Sequence, residues 1–505
     1  MILSQLLVVN TARDLSKPAI RFLGKDMTYA DFRTRVAKLS YLLIHEIGYG
    51  ARVGFICRNS PGVAAAFFAL TNACATIIPI DPDKTPAEIA EWIRTTKCTH
   101  IFVTNDLTNH VREMLNTERI YLPIVEIEKK QGGEYDPTFT PAPEHQPKDT
   151  NIVVIFRSQG ITGKPKYIQY NHKNLAAAIT PLKQAYKLGP NDRIMSIGNW
   201  AHPFQFIHGM LFPILTGGSI VVDHGMDNKE FLQYIQDSKV TRLIGSPPQF
   251  LKLLLACRAE HKGIPTVRSV FVGLGDLQPE VQRAFETLKV AVAHIFGQVE
   301  SGWTLAMEDY TEHFENRIRG CIGKPLQGLK YKIMDENFDE IEGSERVGYL
   351  AVSTPAAMTG YLDREKETKN VLRGSWVYTG DYAKIEGEEE NMRLYFLGRR
   401  DELIIEQGVI TGVGEIDWAL KGQMGVEDAA GFVLKDSRGR PVVAAAVVKV
   451  EKSPINEKAV IDMCASRLSG DLVPKVVVFT DHIPRDAGGN INRIKLRAQF
   501  LGVVV

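Results

Sequence analysis

Residues 60–104, "SPGVAAAFFALTNACATIIPIDPDKTPAEIAEWIRTTKCTHIFVT", constrain the fold of this chain more than any other stretch. A short apolar strand, "TIIPID", separates two segments that each open on a helix-start signal. Ser60-Pro61 begins the first. Thr85-Pro86, with Glu88 three residues after Thr85, begins the second and leads into the strand "HIFVT". The preceding segment has the same form: Thr28 to Asp31 resembles a capping box, and Phe32, Val36, Leu39 and Leu43 follow at helical spacing. In "RVGFICRN", Val53, Phe55 and Cys57 then alternate as in a strand. Helices and buried strands repeated in this order predict a doubly wound parallel sheet.

A chain of 505 residues exceeds a single core, so two or more domains are expected. From Glu126 to Thr150 the sequence turns polar and proline-rich, which reads as a connector delivering the chain to the strand "NIVVIF". A second alternating region runs to about residue 320. Its strands are "RIMSIG", "SIVVD", "VTRLIGS", "SVFVGLG" and "VAHIFG", with helices such as "KEFLQYIQDS" and "PPQFLKLLLACRAEH" between them. Strands dominate from there through "YFLGRR". The last hundred residues read as a small α+β domain: a helix "GEIDWALKG", a hairpin turning near Arg438-Gly439, a helix "NEKAVIDMCASRL" and a strand "KVVVF".

The charge balance, 60 Lys+Arg against 59 Asp+Glu, offers no footprint for nucleic acid or an anionic membrane surface. Cys57, Cys74, Cys98, Cys257, Cys321 and Cys464 show neither zinc-ligand spacing nor a disulfide framework. No segment approaches the ~18 apolar residues of a membrane span, and the N-terminus lacks the basic region and cleavage site of a signal peptide. A soluble cytoplasmic protein acting on small molecules is expected.

The chemistry begins at "FRSQGITGKPKYIQYNHKNL", residues 156–175. After a strand, Gly160, Thr162, Gly163, Lys164, Pro165 and Lys166 are types that let backbone N–H groups and ammonium charges approach an anion. The GxxxxGK[ST] spacing of a Walker A loop is absent. Further along come "HPFQFIHGM", "GLGDL", "FGQVESG", "YTGDYAKI", "LGRRDELIIEQGVITGVGEID" and "IPRDAGGNINRIKLR". Taken one at a time these are ordinary turns or surface ion pairs. Seven in this order, across almost the whole chain, resemble the adenylate-forming superfamily of acyl-CoA synthetases, peptide-synthetase adenylation domains and luciferases.

That resemblance implies an α/β fold, with an N-terminal adenylate-forming domain over residues 1–398 and a small mobile C-terminal lid over 399–505. It implies ATP or AMP and Mg2+ as cofactors, a small carboxylic acid as substrate, and CoA, a carrier-protein phosphopantetheine thiol or an amine as acceptor. Glu300 matches the magnesium carboxylate. Gly160, Thr162, Gly163 and Lys166 match the phosphate loop, and Phe296 matches the aromatic that stacks on adenine. Gly273, Gly275 and Asp276 align with the adenine-side loop, Asp381 with the ribose carboxylate and Arg399 with its companion. Asp401 stands at the hinge of the lid, and Gly408 and Glu415 keep the pattern of the loop after it.

The sequence departs from the family where phosphate is touched. Ile161 and Val299 replace hydroxyl residues, and Asn490 stands where the lid carries its catalytic lysine. Gln159 and Tyr167 depart as well. An amide donates a hydrogen bond but brings no charge. Lys495 lies five residues on, on an expected helix, and is not read as a substitute; Arg157 is the residue considered as one. Two readings stay open: an AMP-forming acyl-CoA ligase with catalytic residues Thr162, Lys166, Glu300 and Asn490, or a divergent non-adenylating relative. The second would bind nucleotide, acyl-adenylate or acyl-CoA, running only the later half-reaction or none. On the acyl side, Ile207 occupies the position at which amino-acid-activating relatives carry an aspartate, so an acyl or aryl acid is expected, against Trp200 and Phe206. His202 and His208 lack a third ligand at sensible spacing and are not read as a metal pair.

Overall fold

The computed structural model describes residues 1–128, 136, 142, 145–158, 165–189, 191–275, 279–308, 321–388, 391–399, 403–406, 409–438, 440–468, 470–486 and 489–500. Local signals set the helices of the first region. The Thr28 hydroxyl accepts from Asp31 N at 3.1 Å and the Asp31 carboxylate accepts from Thr28 N at 3.2 Å, which starts the helix Tyr29–Ile47. Thr85 and Glu88 repeat this arrangement at the start of Pro86–Thr96. Ser60 caps Pro61–Asn72. That helix is apolar around its whole girth and is buried from Pro61 to Thr71, so it lies inside the core and not over it.

These helices cover a sheet whose order is Gly360–Tyr361, Tyr167–Asn171, Ile152–Arg157, Thr76–Ile80, Arg52–Ile56, His100–Val103 and Ile124–Glu126. From Ile152–Arg157 to Ile124–Glu126 the neighbours are parallel. The parallel part of a second sheet runs Ala291–Phe296, Ser269–Val272, Arg242–Gly245, Arg193–Ser196, Ser219–Val222 and Pro18–Phe22. Every strand expected from the second alternating region is there. The N-terminus supplies one that was not foreseen: Pro18–Phe22 crosses to the second sheet, with Ile20 opposite Ile220. Through Ala306–Met307 this sheet continues into antiparallel strands at Cys321–Pro325, Arg393–Arg399, Trp376–Glu386, Glu345–Ser353 and Lys330–Met334, the β-rich part of the N-terminal region.

One large core joins the two sheets. Phe156 of the first, Phe271 of the second, and Phe67, Tyr186 and Phe206 from the helices between them all belong to it. The C-terminal residues form their own sheet: the expected hairpin Val426–Lys435 and Pro441–Lys449, with Val476–Phe479 added in parallel. Gly414–Leu420 and Glu457–Ala465 contribute to a cluster on one side of it and Arg493–Gln499 to a second cluster. The architecture is therefore mixed α/β, with a large sheet-rich N-terminal part and a small α+β C-terminal part.

The segment Gln205–Leu211 is π-helical and every residue of it is buried. It rests directly on the strand Arg193–Ser196, because a Cβ on Gly209 would lie 2.2 Å from the Ser196 hydroxyl. Gly209→Ala is expected to cost about 1–3 kcal/mol by overpacking, and adding Ser196→Gly should recover part of the loss. Denaturant unfolding of the two variants checks this; an unchanged midpoint for Gly209→Ala would refute the close contact.

Candidate active site

In parallel sheets the loops at the carboxyl ends of the strands are where ligands bind. The sequence motifs fall at these ends: Arg157 precedes the loop to Lys166, Val272 precedes Gly273–Gly275, and Phe296 precedes "GQVESG". The loop after Phe296 is held by Tyr170, whose hydroxyl donates to Val299 O and accepts from Gly302 N at 3.0 Å. Gly302 takes φ +87°, a conformation suited to glycine, and a Cβ there would meet the Ala356 Cβ at 2.6 Å. Met358 N donates to Glu300 O at 2.9 Å, so the segment after Ala356 fastens the same loop from its other side.

The Glu300 carboxylate accepts from the Tyr361 hydroxyl at 2.8 Å through Oε1. Lys166 stands over the opposite part of this tyrosine, its Nζ 4.7 Å from the ring centre and 3.7 Å from Glu367 Oε2. Burial, followed by the negative charge of Glu300, raises the Tyr361 hydroxyl far above its ordinary pKa, so it remains a donor. Among the described residues no three His, Cys, Asp or Glu side chains gather as a metal cage. A single carboxylate of this kind suits magnesium that arrives on phosphate oxygens, because that ion is usually held by one or two carboxylates together with substrate.

Asp381 and Arg399 face each other across the strands Trp376–Glu386 and Arg393–Arg399. Arg399 Nε donates to Asp381 Oδ1 at 2.9 Å, and its Nη1 donates to Thr379 O at 3.0 Å. Asp381 is only 4% exposed, which makes it a fixed acceptor. Phe296 packs on Phe396 with ring centres 5.6 Å apart.

The glycine-rich loop meets both Phe204, which leads into Gln205–Leu211, and the C-terminal part. A Cβ on Gly273 would lie 2.3 Å from the Phe204 ring, and Phe204 in turn touches Trp303 and His208. A Cβ on Gly275 would lie 2.4 Å from Asn490 Oδ1, and Asn490 Nδ2 donates to Leu274 O and, at 3.1 Å, to Asp486 Oδ2. Asp486 Oδ1 also accepts from Asn490 N at 2.9 Å, and Arg485 ties this turn to Asp428.

The structure thus brings Lys166 beside Glu300 through Tyr361, Asp381 beside Arg399, and Asn490 beside Gly275. Gly160, Thr162, Gly163, Lys164, Asp276, Asp401 and Gly408 lie outside the described residues, as do Gln159, Ile161 and Gly439. Trp200, Phe206 and Ile207 are buried members of the large core; the Phe206 ring packs on Phe67 and Phe156, and Trp200 N donates to Asn59. Arg157, considered as a substitute for the missing lysine, lies over Trp92 and within 4.0 Å of Glu88, because its place in the strand points it toward the helix Pro86–Thr96. Tyr361 and Tyr170 were missed, since only chain segments remote in sequence give them their roles.

A family model described as AMP-binding enzyme matches residues 8–362. The chain belongs to the AMP-binding enzyme family. Among curated relatives it is 24% identical to a feruloyl-CoA synthase of Amycolatopsis sp over 483 residues, covering 95% of this chain and 96% of that one. It is 26% identical to 4-coumarate–CoA ligase 2 of Nicotiana tabacum over 495 residues, covering 94% and 89%. Its fold matches that of ATP-bound MatB from Rhodopseudomonas palustris with a TM-score of 0.84 at 21% identity, covering both chains in full. No described helix is long and apolar enough to cross a membrane.

In this AMP-binding fold His208 is wholly buried, joined to the Tyr186 hydroxyl at 2.8 Å and to Thr304 at 3.3 Å. Burial pushes its pKa down to about 3, and burial with the Lys84 charge pushes His202 down to about 4. Both are neutral at pH 7. Below the ordinary histidine pKa of about 6.5 the unfolded chain takes up protons that these buried rings refuse. Stability is therefore complete above about pH 6.5 and falls as pH drops toward 4, by about 1.4 kcal/mol per pH unit for each ring. Thermal unfolding against pH should show this slope and His208→Gln should flatten it; an equal slope in the variant would remove His208 from the account.

Proposed function

We propose that this chain is an AMP-forming acid ligase of the acyl-CoA synthetase type. It activates an acyl or aryl carboxylic acid with ATP and passes the acyl group to CoA or a related carrier thiol, an amine being the other acceptor. The observation that carries this reading is the buried Asp381 carboxylate paired with Arg399 on one side of the carboxyl-end loops, with Glu300 and Lys166 gathered at Tyr361 on the other. Such an arrangement offers an acceptor for ribose hydroxyls and separate anionic and cationic groups for a metal-bound triphosphate. The names of the feruloyl and coumarate relatives favour an aryl acid, and Ile207 leaves an α-ammonium group without a counter-charge.

In the first half-reaction a carboxylate oxygen of the acid attacks the α-phosphorus, and the bond to the bridging oxygen of pyrophosphate breaks. In the second the thiolate attacks the acyl carbon and AMP leaves with its electron pair. Asp381 and Arg399 hold the ribose, Phe296 meets the adenine, and the backbone of Gly273 and Gly275 borders it. Glu300 would hold magnesium, which when bound draws charge away from the phosphates. Lys166 would meet the phosphates, a role that the sequence pattern also gives to Gly160, Thr162 and Gly163. We place the division between the two parts of the chain at residues 398 and 399, with Asp401 as hinge.

Asn490 favours a second reading. At the position of the family lysine it supplies an amide already engaged by Leu274 and Asp486, so it adds no positive charge to the attack. A relative that runs only the thioester-forming step, or that binds adenylate without turnover, accounts for this substitution.

Pyrophosphate exchange with a panel of aliphatic and aryl acids distinguishes the two. For a ligase weakened by its missing cation, Asn490→Lys raises exchange by up to about 10²–10³. Pre-formed acyl-adenylate with CoA reports the second step alone. Silence in both assays for both proteins would exclude catalysis. Calorimetry with ATP and AMP should show binding that Asp381→Ala weakens by tenfold or more; equal affinity in that variant would overturn the ribose assignment.

A further inference from the structure

Tyr361 touches both charged groups of the proposed phosphate site, with two different parts of one side chain. Its hydroxyl donates to Glu300 Oε1 at 2.8 Å, and its ring face lies 4.7 Å from the Lys166 ammonium. The side chain has little freedom to do otherwise. Tyr361 is 5% exposed, and the strand Gly360–Tyr361 pairs with Tyr167–Asn171, placing Tyr361 opposite Ile168 and thus beside Lys166. Tyr361 N donates to Thr368 Oγ1 at 2.9 Å, while Leu362 N donates to Tyr167 O at 2.8 Å. Three residues earlier, Met358 N fastens the backbone of Glu300 itself. The segment from Met358 to Leu362 therefore joins the two loops, and Tyr361 is the member that reaches their charges.

We propose that Tyr361 is a positioning residue for adenylation: its hydroxyl holds Glu300 in the orientation that receives nucleotide-bound magnesium, and its ring seats Lys166 toward the phosphates. With Oε1 accepting from the tyrosine, Oε2 would be left for the cation. Carboxylate ligands are commonly fixed by such outer hydrogen bonds, whose loss costs 10–100-fold in metal affinity. The Lys166 contact is electrostatic attraction to the ring face, so it survives loss of the hydroxyl and fails only with the ring. Glu367 takes the remaining charge of Lys166 at 3.7 Å and is itself held by Arg364 at 3.2 Å, which leaves the lysine able to exchange this partly exposed partner for phosphate.

This assignment rests on the nucleotide-binding reading above, and binding measurements separate the two. ATP affinity is measured by calorimetry with magnesium and with EDTA, and AMP affinity with EDTA, for the unmodified chain, Tyr361→Phe and Tyr361→Leu. Tyr361→Phe is expected to lower the gain in ATP affinity that magnesium confers by about tenfold or more. Its AMP affinity should stay within about twofold and its thermal midpoint unchanged. Tyr361→Leu should further weaken ATP relative to AMP in EDTA, by about 2–5-fold, through loss of the lysine seat. A magnesium gain retained by Tyr361→Phe overturns the assignment. So does an equal fall in metal-free AMP binding, which would mark a purely structural role. Absence of any adenine-nucleotide binding by the unmodified chain defeats the proposed function itself, and this assignment with it.

Discussion

Burial of both faces of the parallel strands is the constraint on which everything else depends. Val153, Val154, Ile155 and Phe156 are all within 1% of complete burial, as are Ile194, Met195, Val270, Phe271 and Val272. Strands of this kind must be covered on two sides, so parallel neighbours are joined by chain that leaves at the carboxyl end and crosses back over the sheet, while Ile152–Arg157 and Ala291–Phe296 lead through their loops into antiparallel strands. The polar loops therefore collect along one edge. Glycine at 273 and 275 lets the loop after Ser269–Val272 approach Phe204 on one side and Asn490 on the other, closer than any Cβ would allow. The site is what remains when two buried sheets share one core and their loops have nowhere else to go.

Within that edge the charges are handled differently. Asp381 is deeply buried and is offset at once by the Arg399 guanidinium, a pairing built into strand register. Glu300 receives a neutral hydroxyl from Tyr361. Buried charge is tolerated only where it is paired or hydrogen-bonded, and these are two ways of meeting that requirement. The first suits a clamp on a neutral sugar. The second suits a ligand that brings its own counter-charge. Asn490 is a third case: an uncharged side chain at the seam between the C-terminal part and the glycine-rich loop, held by hydrogen bonds alone. Leu274 O accepts from it across that seam, and Asp486 fixes it within its own turn.

The amino-acid sequence by itself determined the local elements and the family. Thr28, Ser60 and Thr85 cap the helices that they mark, the apolar runs became the buried strands, and the hairpin in the last hundred residues pairs as its turn signal requires. Periodicity and capping act within a few residues, which is why they can be read from the chain alone. The ordered motifs likewise led to the AMP-binding family, because side chains that meet one nucleotide must recur in one order on one fold. Only the tertiary structure decided that Pro18–Phe22 joins the second sheet, that Arg157 turns to Trp92 and Glu88, and that Tyr361 stands between Lys166 and Glu300. Each depends on pairing or packing between segments far apart in the chain. No residue in "TGYLDREKETK" announces such a partner, since the direction of a side chain is set by strand register and by what covers it.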